Sequence, residues 1–254
     1  MKNEIVAVKN LNAFYMEQSK YFWSKRKRRQ ILHNISFSIA EGEILGLVGE
    51  SGCGKSTLAK VMLGMVRDYT GEVIHHTQTP QMIFQDPYNS LNPAKKVGWI
   101  LEEPLKLKGG YDKEARLEKV KEMLHKVGLD EKLMDRYPRQ LSGGQRQRLS
   151  IARAIAAHPQ VYLFDDSFSA LDYKTDLQLR QALAEKTQSA TVIIVAQRIS
   201  TILHADQIIV LENGRISGIG THGQLLNSCA TYQEIARSQL SEAELAGAAK
   251  GGIA

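Results

Sequence analysis

Gly49-Glu50-Ser51-Gly52-Cys53-Gly54-Lys55-Ser56 meets the pattern G-x-x-x-x-G-K-[ST] at each fixed position. Before it, Ile44 to Val48 is a short apolar run that reads as a buried strand. After it, Thr57 to Val66 reads as a helix. A strand, a glycine turn and a helix are the setting such a loop needs. Gly49, Gly52 and Gly54, with Ser51 between them, let backbone N–H groups close around a polyphosphate, and the helix N-terminus adds partial positive charge. Lys55 can reach the β- and γ-phosphates, the Ser56 hydroxyl can ligand Mg²⁺, and Thr57 completes the first helical turn. The stretch reads as a nucleotide site rather than as a bare glycine turn.

The chain has 254 residues, which allows one large domain or two small ones. It is 43% hydrophobic and 24% charged, which argues against disorder. No apolar run approaches the ~18–20 residues needed to span a membrane. Residues 1 to 10 are mixed and polar, unlike a secretory leader. The expectation is a cytoplasmic protein, peripheral to a membrane only where a partner holds it. The net charge of +6 is uneven: residues 1 to 140 hold 23 Lys+Arg against 17 Asp+Glu, and residues 141 to 254 hold 10 of each. Much of the excess is Lys25-Arg26-Lys27-Arg28-Arg29, which follows Tyr21, Phe22 and Trp23. Two readings stay open for it, a solvated loop or a surface for anionic lipid or nucleic acid. The two cysteines, Cys53 and Cys229, form no C-x-x-C pair, so no metal or disulfide framework is indicated.

Outward from the loop, residues 3 to 11 and 31 to 40 have strand-like patterns, with the basic stretch 16 to 30 as a loop or insertion. Gln81 to Phe84 is a short strand ending at Gln85. Residues 95 to 136 look helical, with Leu117, Val120, Leu124 and Val127 at helical spacing. Tyr137-Pro138 ends that region, and Ser142-Gly143-Gly144 reads as a cap opening a helix through Ala157. Val161 to Phe164 and Val192 to Ala196 read as buried parallel strands. Ile208 to Leu211, Glu212-Asn213-Gly214-Arg215 and Ile216 read as a hairpin. His75 and His76 are placed in a short polar hairpin, as solvated residues. The tail from Leu245 is Ala/Gly-rich and frayed. Strands alternating with helices indicate an α/β core.

Three further pieces sharpen this. Val161-Tyr162-Leu163-Phe164-Asp165 is an apolar strand ending in a carboxylate suited to Mg²⁺. Leu141-Ser142-Gly143-Gly144-Gln145 precedes it, and Ser169-Ala170-Leu171-Asp172 follows. In this order the pieces resemble the ATP-binding cassette family, whose signature reads LSGGQ. The resemblance implies a P-loop NTPase with a RecA-like core, an antiparallel β subdomain and an inserted helical subdomain at 88–140, in one domain over 1–245 before a tail at 246–254. It implies ATP and Mg²⁺ as ligands. It also implies a head-to-tail homo- or heterodimer, in which Ser142, Gly143, Gly144 and Gln145 of one subunit face the ATP on the other's loop, and transmembrane subunits as partners. Tyr15 sits where the family stacks an aromatic on adenine, with Phe14 and a core role as competing readings. Gln85 matches the glutamine that senses Mg²⁺ and the membrane partner. Asp172 matches the aspartate that contacts the other subunit.

Two positions depart from the family pattern. The residue after the Mg²⁺ aspartate is normally glutamate and here is Asp166, one methylene shorter. The switch histidine position holds Gln197, which can hydrogen-bond a γ-phosphate but cannot carry a proton. Together they resemble the degenerate half of heterodimeric exporters, and the other reading is a tolerated variant with ordinary turnover.

Residues 1 to about 140 resemble the ATPase subunits of oligopeptide and dipeptide importers, through the 16–30 insertion, the phosphate loop and Phe84-Gln85-Asp86-Pro87-Tyr88-Asn89-Ser90-Leu91-Asn92-Pro93. From about 150 onward, Phe164 to Asp172, Arg198 to Ile202 and Gly220-Thr221-His222-Gly223 resemble exporters. The change falls at 140–160, which suggests a chimera of two homologous parents or a divergent natural cassette. The implied function is a transport ATPase subunit of low activity. The competing function is a nucleotide-binding module with little turnover, and a nucleic-acid-linked ATPase is disfavoured for want of a long coiled coil.

Overall fold

The computed structural model describes residues 3–16, 27–77, 80–84, 90–165 and 190–240. The chain divides into two compact units, Met1–Gln78 with Thr191–Ala254, and Thr79–Ala190. The region 88–140 expected as a helical subdomain therefore falls in a larger unit that also holds the signature helix.

In the first unit, β1 (Glu4–Met16) pairs antiparallel with β2 (Arg28–Ala40) and with β4 (Tyr69–His75), giving the order β2-β1-β4. Both long strands run further than their apolar patterns indicated. Arg28 and Arg29, read as loop, pair with Met16 and Tyr15. The expected hairpin around His75 is instead the end of β4, where His75 pairs with Val6 of β1. The second layer of this unit is β3 (Ile44–Gly49), parallel to both β7 (Thr191–Val195) and β8 (Gln207–Glu212). Leu45, Leu47 and Val48 are buried, as are most of the residues of β7 and β8. Buried parallel strands read as unbroken apolar runs for this reason. β8 turns back into β9 (Arg215–Gly220) through Asn213 and Gly214, both with positive φ, the tight hairpin geometry that Asn-Gly favours.

α1 (Lys55–Met62) starts two residues earlier and ends four residues earlier than its pattern suggested. Its last carbonyls are met by Gly64 N–H to Val61 O and Met65 N–H to Lys60 O, both 2.9 Å, a Schellman closure. α5 (His222–Ser228) and α6 (Ala230–Gln239) close the unit, with Tyr232 and Ala236 fully buried in a core with Ile199, Ile202, Ile208 and Val210.

Among the described residues, the second unit joins β5 (Gln81–Ile83) and β6 (Val161–Asp165), a parallel pair, to three α-helices. These are α2 (Val97–Lys108), α3 (Lys113–Lys126) and α4 (Gly143–Ala156). Asp112 caps α3 by accepting from Ala115 N–H at 2.8 Å. Val120 and Leu124 of the expected apolar face are buried, but Leu117 is 44% exposed and lines a cavity of about 300 Å³ with Gly98 and Met134. α4 is buried along most of its length, through Leu149, Ile151, Ala152 and Ile155.

Candidate functional site

The loop from Gly49 to Gly54 lies between the end of β3 and the start of α1, as its sequence indicated. Gly49 has φ +153 and no room for a side chain, since a Cβ would lie 2.1 Å from the Leu211 carbonyl oxygen. Gly54 is the left-handed cap of α1 (φ 109), and its carbonyl accepts from Leu58 N–H at 2.9 Å. Lys55 is buried, and its ammonium donates to the carbonyls of Gly49 and Glu50, 2.8 Å each. The loop is thus folded around a cation, with α1 directed at it. Ser56 and Thr57 occupy the first turn, Ser51 and Gly52 the exposed tip.

The hairpin tip holds this loop. His33 N–H of β2 donates to Gly214 O at 2.8 Å, and Gly214 N–H donates to Cys53 O at 3.1 Å. Gly214 is a positioning residue that the sequence marked only as a turn. Cys53, buried inside the loop, is a free thiol, as is Cys229.

On β1, Tyr15 is 40% exposed and pairs across the sheet with Arg29. Phe14, the competing aromatic, has its ring taken: the Arg28 guanidinium sits 3.6 Å from the centroid. Phe14 and Tyr15 are successive residues in regular register with Gln30 and Arg29, so strand alternation puts them on opposite faces and leaves Tyr15 as the exposed ring. Gln197 follows β7 and is exposed. Its backbone carbonyl accepts from Gln239 Nε2 at 2.9 Å, while Gln239 Oε1 accepts from Ile199 N–H at 2.8 Å. Gln239 therefore clamps the turn that presents Gln197, a role with no sequence signal beyond its place in α6.

In the second unit, Asp165 is a buried carboxylate at the last position of β6. Ser142 caps α4 reciprocally: its Oγ accepts from Gln145 N–H at 3.2 Å, and its N–H donates to Gln145 Oε1 at 2.9 Å. Among the described residues the Ser142 hydroxyl hydrogen has no acceptor, and Gly143 and Gly144 begin the helix with their amides unopposed by any i−4 carbonyl. Arg146 Nε donates to Pro138 O at 2.7 Å, fixing the segment before the signature. Gln85, Asp166 and Asp172 lie outside the described residues.

The ABC transporter family matches over residues 32–169. The chain is 39% identical over 216 residues to the dipeptide transport ATP-binding protein DppF of Escherichia coli, covering 78% of this chain and 64% of that one. It is 36% identical over 225 residues to the oligopeptide transport ATP-binding protein OppF of Haemophilus influenzae, covering 81% and 68%. It thus spans about two thirds of the length of these relatives. Among solved structures it resembles an ATP-binding cassette dimer in a post-hydrolysis state with ADP and Pi, at 29% identity and TM-score 0.75, over 85% of this chain and 98% of that one. The chain belongs to the ABC transporter family, as an ATPase domain similar to the ATP-binding proteins of dipeptide and oligopeptide transport.

Proposed function

We propose that the chain binds Mg-ATP and hydrolyses it slowly, in a head-to-tail cassette dimer that powers peptide transport through membrane subunits. The observation that carries this is the buried Lys55 ammonium inside the glycine loop at the N-terminus of α1. Incoming phosphate oxygens replace the Gly49 and Glu50 carbonyls as its acceptors, and the loop amides add donors without reorganising.

Mg²⁺ fits the residues available. A serine hydroxyl and a buried carboxylate are hard oxygen donors, the class this cation prefers. The family resemblance gives Ser56 and Asp165 as ligands, with Gln85 sensing the same ion. When bound, the ion neutralises charge on the β- and γ-phosphates. Tyr15 supplies the ring for adenine. Ser142, Gly143, Gly144 and Gln145 serve the γ-phosphate held by the other subunit, and Asp172 contacts that subunit. Such a dimer at a membrane requires location at the cytoplasmic face. No helix among the described residues is long and apolar enough to cross a membrane.

Slow turnover rests on Asp166 and Gln197. Asp166 carries the attacking water one methylene further back, for which ~10²-fold loss is in the range of ångström-scale misplacement. Gln197 donates a neutral hydrogen bond where histidine would carry a proton. The test is steady-state Mg-ATP hydrolysis by the parent beside Asp166→Glu/Gln197→His, with ATP binding measured for both. A near-silent parent and an active double variant support the reading. Brisk parental turnover removes it. Binding without turnover in both favours a nucleotide-binding module, or a chimera of two parents, that does not form the dimer.

A further inference from the structure

The basic cluster Lys25 to Arg29 has no role in the site above, and β2 divides its end by alternation. Arg28 turns to one face, where it lies on the Phe14 ring and forks onto Asp68, Nη2 to Oδ1 at 2.5 Å and Nε to Oδ2 at 3.2 Å. Arg29 turns to the other. There it lines a cavity of about 260 Å³ whose walls include Ile31 of β2 and Glu50, Ser51 and Gly52 of the phosphate loop. Tyr15 is its cross-strand partner. Directly opposed residues share a face, so the exposed ring and the guanidinium stand side by side, and of the two Arg29 lines the cavity with the loop. Among the described residues no carboxylate pairs with Arg29. Glu212, on the same cavity, instead accepts from Thr231 Oγ1 at 2.9 Å.

We propose that Arg29 is a nucleotide-binding residue that holds the α-phosphate of ATP. The inference rests on the reading of Tyr15 and the loop as the two ends of the ATP site. Adenine at Tyr15 and the terminal phosphates on the loop leave the α-phosphate between them, and Arg29 is beside the first and lines a cavity with the second. Guanidinium suits this place: it is permanently charged, planar, and presents paired donors that match two phosphate oxygens. Lysine would bring charge without that fork.

The test is titration of the purified chain with a fluorescent ATP analogue, followed by competition with ATP, ADP and AMP. The variants are Arg29→Ala, Arg29→Lys and Lys27→Ala, the last losing the same charge two residues away. Arg29→Ala is expected to weaken all three nucleotides about tenfold, the scale of one charge-assisted hydrogen-bonded contact. Arg29→Lys is expected to recover part of the loss, and Lys27→Ala to stay within about twofold. The inference is overturned if Arg29→Ala stays within twofold. It is also overturned if Lys27→Ala loses as much, which means a diffuse field, or if ATP suffers far more than AMP, which means a terminal phosphate. Lys55→Ala run in parallel separates the two failures. If it abolishes binding while Arg29→Ala does not, only this inference falls; if neither variant matters, the loop reading falls with it.

Discussion

The Lys55 ammonium donates to the Gly49 carbonyl at 2.8 Å, so the end of the glycine loop closes on its own beginning. A buried ammonium must keep acceptors, and here those acceptors are the loop's backbone. The loop's curvature is therefore held by its own residues. Lys55→Ala should lower ATP affinity by at least tenfold and remove hydrolysis. Lys55→Arg should fail as well, because a planar fork does not fit where a compact ammonium meets two carbonyls. Nucleotide titration checks both, with circular dichroism confirming the fold. Unchanged affinity in either variant would contradict this account of the loop.

Gly214 links two elements by hydrogen bonds and has φ +74, and a Cβ there would lie 2.0 Å from the Ile31 carbonyl oxygen. Gly214→Ala combines left-handed strain of about 1–3 kcal/mol with a backbone collision. The hairpin tip must shift and release Cys53 O. The expected result is a thermal midpoint lower by several degrees together with weaker ATP binding. Asn213→Gly is the control, since Asn213 (φ 48) already has a left-handed backbone and glycine adopts it freely. A midpoint in Gly214→Ala equal to the parent's would show that the tip does not hold the loop.

The sequence carried the phosphate loop, the buried strands and the signature cap because each is local. G-x-x-x-x-G-K-S, Val161 to Asp165 and Ser142 with Gln145 specify their geometry within a few residues. What it did not carry depends on pairing across the chain. Arg28 and Arg29 read as a charged loop until β1 extended to Met16 and gave them partners. Leu117 fits a helical stripe by spacing, yet it is 44% exposed and borders a cavity. Gly214 and Gln239 act through backbone groups of residues far away in sequence, and no side-chain pattern records that. The choice of Tyr15 over Phe14 needed the pairing of β1 with β2, which lays Arg28 on the Phe14 ring and leaves Tyr15 exposed on the other face.

Both flanks of the segment that carries Gln85 are tied to α4. Gln147 Nε2 approaches Phe84 O at 3.5 Å, Arg153 Nη1 donates to Ser90 O at 2.5 Å, and the Ser90 and Ser150 hydroxyls are 2.9 Å apart. The helix that opens with the signature thus sets where that segment begins and ends. Arg153→Met keeps the half-buried bulk and removes the bond to Ser90 O, at a stability cost of about 1–3 kcal/mol. Hydrolysis should drop several-fold while ATP affinity stays within about twofold, since the loop lies on other elements. Steady-state assay in the Asp166→Glu/Gln197→His background gives the sensitivity. A loss of affinity equal to the loss of rate would place Arg153 in nucleotide binding instead.

His222 Nδ1 lies 2.6 Å from the Tyr232 hydroxyl oxygen, and both rings are buried at the α5–α6 contact. Nε2 is buried without a partner among the described residues. Burial first, and then the nearby His204 charge, lowers the imidazole pKa below its usual 6.5. The folded state therefore keeps His222 neutral while the unfolded chain takes up a proton first as pH falls. By linkage, the stability present above about pH 6.5 is lost as the pH drops toward the lowered folded value. His75 is shifted the same way by lost solvation and acts in the same direction. Thermal midpoints should fall between pH 7.5 and 5.5, and His222→Gln should flatten most of that slope, because glutamine meets the tyrosine hydroxyl without titrating. Tyr232→Phe should lower the midpoint at pH 7.5 by stranding Nδ1, at about 1–3 kcal/mol, and still keep a slope. Parallel pH profiles for the parent and His222→Gln would assign the acid sensitivity to other groups.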